Sequence, residues 1–168
     1  MKRPGKIFRD RFGAIVDTHL QLRAFERAVS FIPRLKDCKI LRRNIRLGDS
    51  ILDYLLECGG KALFLEVKSA VLRIGNHAVY PDCPSSRAKR QLKDIIRAVE
   101  QGYKAMILFI AAVPNVEAFK LNRRIDEDLC ELLLEAKDRG VDFTAIAMIY
   151  DLASSCICLS DPELAVEL

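Results

Sequence analysis

At 168 residues, with 51% hydrophobic and 30% charged residues, the chain is long enough for one domain with a packed core and too apolar to be disordered. No apolar run reaches membrane-spanning length, and the basic start M-K-R-P-G-K-I-F-R-D-R has no apolar stretch behind it, so the expectation is no membrane association, no secretory leader and an intracellular, cytoplasmic location. The net charge of +4 is unevenly spread: residues 1–46 hold 13 Lys/Arg against Asp10, Asp17, Glu26 and Asp37, which leaves +9 at the front and −5 behind it, a bias that suits a polyanionic partner and equally an ordinary solvated face.

Residues 1–13 read as a basic N-terminal arm, followed by a single domain over 14–168. Ala14 to Asp17 could form a short strand. Leu20 to Ile32 reads as a helix, with Leu20, Ala24, Phe25, Ala28, Val29 and Ile32 at three-to-four spacing and Pro33 interrupting it. Lys39 to Leu47 alternates imperfectly and is assigned as a strand. Gly48-Asp49 then turns into two apolar runs, Ile51 to Leu56 and Ala62 to Val67, on either side of Gly59-Gly60. A Gly-Gly pair between such runs is a two-residue hairpin signal, because tight hairpin turns need positive φ.

With Gly59-Gly60 as the turn, Leu55 faces Phe64 and Asp53 faces Glu66. Two carboxylates directly across a ladder repel each other, and a divalent cation is the natural compensation, since hard cations take carboxylate oxygens. Lys68 follows on the same strand face as Glu66. An Asp, then Glu-x-Lys on the next strand, is the pattern of a metal-dependent phosphodiester-cleaving site. The same residues also fit a solvated strand face with a salt-bridged Asp, Glu and Lys. The alternation puts Ile51, Leu55 and Phe64 on the face of the charges and Leu52, Tyr54, Leu56, Leu63, Leu65 and Val67 on the other.

Ala70 to Ser86 reads as a loop. Ser85 or Ser86 caps a helix that runs to Gln101, with Leu92, Ile95, Ile96 and Val99 as its stripe. Ala105 to Val113 reads as a strand buried on both faces. Pro114 to Arg124 is a connection, Ile125 to Arg139 a second long helix, Val141 to Tyr150 another buried strand, and Asp151 to Leu168 a tail with a candidate strand at Ser155 to Leu159. The six cysteines form no CxxC, and only two histidines accompany them, which argues against zinc. Most of the cysteines read as small buried residues. Cys156 and Cys158 would share a strand face, where a disulfide is conceivable.

A hairpin followed by alternating helices and strands implies an α/β domain with a mixed β-sheet flanked by helices, a topology similar to the PD-(D/E)xK restriction-endonuclease-like fold. The sequence also resembles the sugar fermentation stimulation protein family, DNA-binding proteins with a domain of that fold. The resemblance runs through I-V-D-T-H-L at Ile15 to Leu20, R-R-N-I-R-L-G-D-S-I-L-D-Y-L-L-E at Arg42 to Glu57 and L-E-V-K-S at Leu65 to Ser69. It continues through Y-P-D-C-P-S-S-R at Tyr80 to Arg87, G-Y-K-A-M-I-L-F at Gly102 to Phe109 and I-D-E-D-L at Ile125 to Leu129.

The resemblance implies a metal-dependent nuclease acting on DNA or RNA with Mg2+ or Mn2+. Asp53 and Glu66 would be metal ligands, the Val67 backbone carbonyl a further ligand, and Lys68 would serve the attacking water. Glu26 is a candidate additional acid, and Ser85, Arg87, Arg90 and Gln91 are candidate phosphate-binding residues at a helix N-terminus. Nucleic acid is the implied partner, and a homodimer is a further expectation. Family members usually carry an N-terminal OB-like domain, and this chain is expected to be a short form lacking it. The family's Gly and His on the helix after the loop are Ala88 and Gln91 here, and its Gln-Arg after the buried strand is Ala112-Val113. These departures leave a second reading open: a nucleic-acid-binding regulator on a nuclease scaffold. A third is a module for protein interaction or oligomer formation.

Overall fold

The structure is a computed structural model and describes residues 11–168. Among the described residues ten strands and three α-helices follow in chain order: β1 (Phe12–Gly13), α1 (Thr18–Ala28), β2 (Cys38–Leu47), β3 (Ser50–Cys58), β4 (Lys61–Ala70), β5 (Leu72–Ile74), β6 (His77–Tyr80), α2 (Ser86–Glu100), β7 (Lys104–Ala111), β8 (Ala118–Leu121), α3 (Glu127–Asp138), β9 (Asp142–Asp151) and β10 (Cys156–Glu167). The helix starts follow from their caps: the side chains of Asp17, Ser85 and Asp126 each accept a backbone N–H of the first turn.

The strands lie in the order β2-β3-β4-β7-β9-β10-β8-β6-β5, with β1 added to β9. Pairing is antiparallel for β2–β3, β3–β4 and β9–β10, and parallel for β4–β7 and β7–β9, so the sheet is mixed. β10 leaves β9 through two register shifts and ends parallel to β8, which carries β6 and β5. One face of the sheet packs on α2 and α3 through Leu92, Ile95, Leu129 and Leu133, and Phe109 stacks there on Phe119 with ring centroids 4.0 Å apart. The other face packs on α1 around Phe25, Tyr54 and Leu65. This is the α/β, PD-(D/E)xK restriction-endonuclease-like architecture. Among the described residues no helix is long and apolar enough to cross a membrane.

Several sequence expectations change. Of the expected arm, residues 1–10 lie outside the described residues, but Phe12–Gly13 pair with β9, and the Arg11 guanidinium makes two hydrogen bonds to the buried Asp151 carboxylate at 3.0 and 2.9 Å. The short strand is therefore at 12–13 and not at Ala14 to Asp17. The first helix stops at Ala28 and continues as one 3-10 turn over Val29–Phe31. The expected loop at Ala70 to Ser86 contains β5 and β6, and the connection at Pro114 to Arg124 contains β8. A disulfide joins Cys38 to Cys58 across β2 and β3 and not Cys156 to Cys158. Of the free cysteines Cys130 alone is buried.

The hairpin register holds from Cys58–Lys61 to Tyr54–Leu65 and ends there. Leu52 belongs to the α2 side of the core, whereas Tyr54 and Leu56 belong to the α1 side. The neighbouring strand does the same: Ile45 packs on the α2 side, while Arg43 reaches Glu26 on α1. Alternation would keep each pair on one face. Both strands thus rotate at one rung, Asn44 opposite Asp53, where Asn44 adopts φ +52°, a left-handed conformation that Asn tolerates better than most residues.

Candidate active site

The rotation at Asp53 opens β3 away from β4, and side chains take over where the ladder stops. The Asp53 carboxylate accepts the Val67 N–H at 2.8 Å, and the Glu66 carboxylate accepts the Asp53 N–H at 3.3 Å. Asp53 and Glu66 therefore converge, as the hairpin reading expected, but they do not form a ladder pair. Each carboxylate satisfies a backbone donor that the splayed strands would otherwise leave unpaired. A residue that turns its N–H toward one neighbouring strand turns its carbonyl the same way, so the Val67 carbonyl faces the same opening.

Lys68 stands beside them on the α2 side. Its ammonium donates to Glu66 Oε1 and to Gln91 Oε1, each at 2.8 Å. Glu66, Lys68 and Gln91 are 4%, 8% and 2% exposed, so the ion pair is removed from bulk water. Burial pushes the Asp53 carboxyl above the usual carboxylate range, against the opposing pull of the Val67 N–H, Lys68 and Arg87. Burial does the same to Glu66, where Lys68 pulls down and the charge of Asp53 adds to the rise. The cluster is short of positive charge.

The remaining expected site residues are placed as follows. Arg87 is exposed and close enough to Asp53 to influence its charge. Arg90 is exposed on the outer side of α2, in a groove where Ser86, Lys89, Lys93 and Arg97 are joined by the acids Asp49 and Asp94. Ser85 is the α2 cap, its Oγ accepting the Ala88 N–H at 3.1 Å. Gln91 does not face solvent as a phosphate ligand would. Its amide nitrogen donates to the Ile51 carbonyl at 3.0 Å while its oxygen holds Lys68, so both ends of the amide are engaged within the protein. Glu26 does not join the acids either: it accepts from Tyr54 Oη at 3.0 Å and pairs with Arg43 at 2.5 Å on the α1 side. Among the described residues no group of three or more His, Cys, Asp or Glu side chains is arranged to hold a metal ion, so side-chain donors at this site come from Asp53 and Glu66 alone.

Sequence reasoning missed the second layer. Asp94, buried on α2 one turn beyond Gln91, accepts from Ser50 Oγ at 2.6 Å and from Arg97 at 3.1 Å, and Gly48 lies against its carboxylate. The available signal was an Asp between Leu92 and Ile95 in the apolar stripe of a helix. A second concavity, about 790 Å³, lies elsewhere, between α1 and the β9–β10 hairpin. It is lined mostly by apolar side chains and has no part in the carboxylate cluster.

The model of the sugar fermentation stimulation protein RE domain matches residues 18–154. The chain is 45% identical over 157 residues to a sugar fermentation stimulation protein homolog of Pyrococcus furiosus, covering 92% of this chain and 67% of the relative. It is 39% identical over 153 residues to the homolog of Archaeoglobus fulgidus, covering 91% and 65%. In three dimensions it matches the structure of Pyrococcus furiosus SfsA in complex with Ca2+, with a TM-score of 0.90 at 41% identity over 99% of this chain and 75% of that one. The chain thus spans about two thirds of the length of these two archaeal relatives.

Proposed function

Because the chain belongs to the sugar fermentation stimulation protein family, we propose that Asp53, Glu66 and Lys68 form a divalent-metal site that hydrolyses phosphodiester bonds of DNA or RNA. The observation that carries the reading is the convergence of the buried Glu66 carboxylate and the half-buried Asp53 carboxylate, both raised above their ordinary range, with one ammonium shared between Glu66 and Gln91. The donor set fits a hard cation: two carboxylates and the Val67 carbonyl supply oxygen only, and water and phosphate oxygens complete such a shell. The relative from Pyrococcus furiosus is described in complex with Ca2+, which supports a divalent ion here, and we assign Mg2+ or Mn2+ as the working ion.

A bound cation of this kind polarises a phosphate oxygen and lowers the pKa of its water. The chain's own residues do the rest. Asp53 and Glu66 fix the donor positions, since each is tied to a backbone N–H of the facing strand. Gln91 holds the Lys68 ammonium beside Glu66, from where its remaining proton can orient the attacking water and stabilise negative charge developing on the phosphoryl oxygens. Arg87 and Arg90 at the start of α2 supply exposed positive charge for neighbouring phosphates. Residues 14–168 are proposed to act as one domain.

The test is incubation of the protein with labelled single- and double-stranded DNA and RNA, with Mg2+, with Mn2+ and with a chelator. The expected result is metal-dependent cleavage that disappears in Asp53→Ala and Lys68→Ala, while Lys68→Ala keeps nucleic-acid binding. Binding without cleavage of any of the four substrates in the parent would replace the enzyme by a nucleic-acid-binding regulator.

A further inference from the structure

The rung that carries Asp53 is held by neither of its sheet neighbours in the ordinary way. On the β4 side, ladder pairing ends at Tyr54–Leu65. On the β2 side, it faces the left-handed Asn44. Beyond that rung Ser50, Ile51 and Leu52 pair with Leu47, Arg46 and Ile45 of β2 but not with β4, so the rotated tip of the β2–β3 hairpin is tied to the rest of the domain through α2. Ser50, itself buried, donates its hydroxyl to Asp94 at 2.6 Å. The Ile51 carbonyl accepts from Gln91 at 3.0 Å. Gly48 approaches so closely that a Cβ there would lie 2.8 Å from Asp94 Oδ1, and its φ of +57° is one that glycine adopts without cost. Gln91 and Asp94 are three residues apart, so one side of α2 holds both the Lys68 ammonium and the backbone that leads into Asp53.

We infer that Asp94 is a positioning residue for the Asp53–Glu66 pair, acting through Ser50 and Gly48. Its carboxylate locks the rotated tip of the hairpin to α2, and that lock sets where Asp53 stands relative to Glu66. Arg97 neutralises the outer oxygen of Asp94, so the buried charge has a partner on either side. The consequence for metal affinity rests on the reading under Proposed function; the consequence for carboxylate placement does not.

The test uses two readouts on the full chain, in the variants Ser50→Ala, Gly48→Ala and Asp94→Asn. The first is amide hydrogen exchange in the presence of a chelator. The Asp53 and Val67 N–H groups are held by the carboxylates themselves, so they report the pair directly, and Ile107 and Leu108 on β7 serve as references. The expected result is exchange at least tenfold faster at Asp53 and Val67 in Ser50→Ala and Gly48→Ala, with the reference amides unchanged. Asp94→Asn, whose amide oxygen can still accept from Ser50, should stay within threefold of the parent. The second readout is Mn2+ titration, with binding 10- to 100-fold weaker in Ser50→Ala and Gly48→Ala, the range found when groups behind metal ligands are removed. Unchanged exchange at Asp53 and Val67, or acceleration equal to that of the reference amides, overturns the inference. A parent that takes up no Mn2+ refutes the metal site instead, and the exchange rates still decide the role of Asp94.

Discussion

Replacing Lys68 by methionine keeps the bulk of the side chain and removes its charge. In the metal-free protein Glu66, 4% exposed, then has no cation against it and must either stay ionised or take up a proton. Proton uptake caps the cost. Starting from an ordinary glutamate pKa of about 4.3, holding the group protonated at pH 7 costs about 3.7 kcal/mol at about 1.36 kcal/mol per unit. Gln91 Oε1 also loses its donor, which adds about 1 kcal/mol. The parent already carries part of the first cost, because burial raises Glu66 there too, so Lys68→Met should be destabilised by about 3–4 kcal/mol, in the range for breaking a buried pair. The pH dependence follows from the direction of the shift. A carboxyl whose folded pKa is raised contributes full stability below its unfolded pKa and loses it as pH rises. The difference between variant and parent should therefore shrink to about 1–2 kcal/mol at pH 5. Urea unfolding with a chelator at both pH values measures it, and the double variant Glu66→Gln/Lys68→Met should recover at least half of the loss at pH 7. A difference under about 1 kcal/mol at pH 7, or one equal at the two pH values, would refute the account of a buried, mutually dependent pair.

Reducing the Cys38–Cys58 disulfide, which closes a loop with a sequence separation of 20, should cost about 3 kcal/mol, read as a lower unfolding midpoint in reductant. Arg11 holds the Asp151 carboxyl well below the usual carboxylate range, so its contribution is present above about pH 4 and lost as pH falls further; Asp151→Asn should flatten the acid side of a melting curve between about pH 2 and 4. Arg90→Ala and Lys93→Ala should weaken nucleic-acid binding and each reduce the magnitude of the slope of log affinity against log salt by about 0.9 on duplex DNA; an unchanged slope would show that the outer side of α2 is only solvated.

The hairpin was legible because its signal is local. Gly59-Gly60 demands positive φ, and the observed values of +58° and +80° place the turn where the sequence reading put it. That register brought Asp53 toward Glu66. It failed one rung later for a reason outside the two strands: the left-handed Asn44 on β2 rotates its neighbour, and no alternation pattern within Ile51 to Leu56 carries that information. β6 and β8 were missed because they are only four residues long and are completed by partners far away in sequence, His77–Tyr80 with Ala118–Leu121 and Ala118–Lys120 with Ala165–Glu167; β5, three residues long, pairs among the described residues only with the adjacent β6. The same holds for Gln91. As a helix residue it reads as surface, and only the approach of Lys68 and the Ile51 carbonyl makes it part of the core.

β10 changes partners along its length, antiparallel to β9 at Cys156–Leu164 and parallel to β8 at Ala165–Glu167. Its final residues close a seam opened almost fifty positions earlier. During synthesis, β8 and its neighbour β6 leave the ribosome well before that seam can be sealed. Until Glu167 emerges, β8 presents a row of unpaired peptide groups beside the stacked Phe109 and Phe119. The nascent domain can therefore assemble its carboxylate hairpin early, yet it stays exposed to strand exchange until translation has passed the last of its strands. Stalling between β9 and the end of β10 should then yield a chain that chaperones retain.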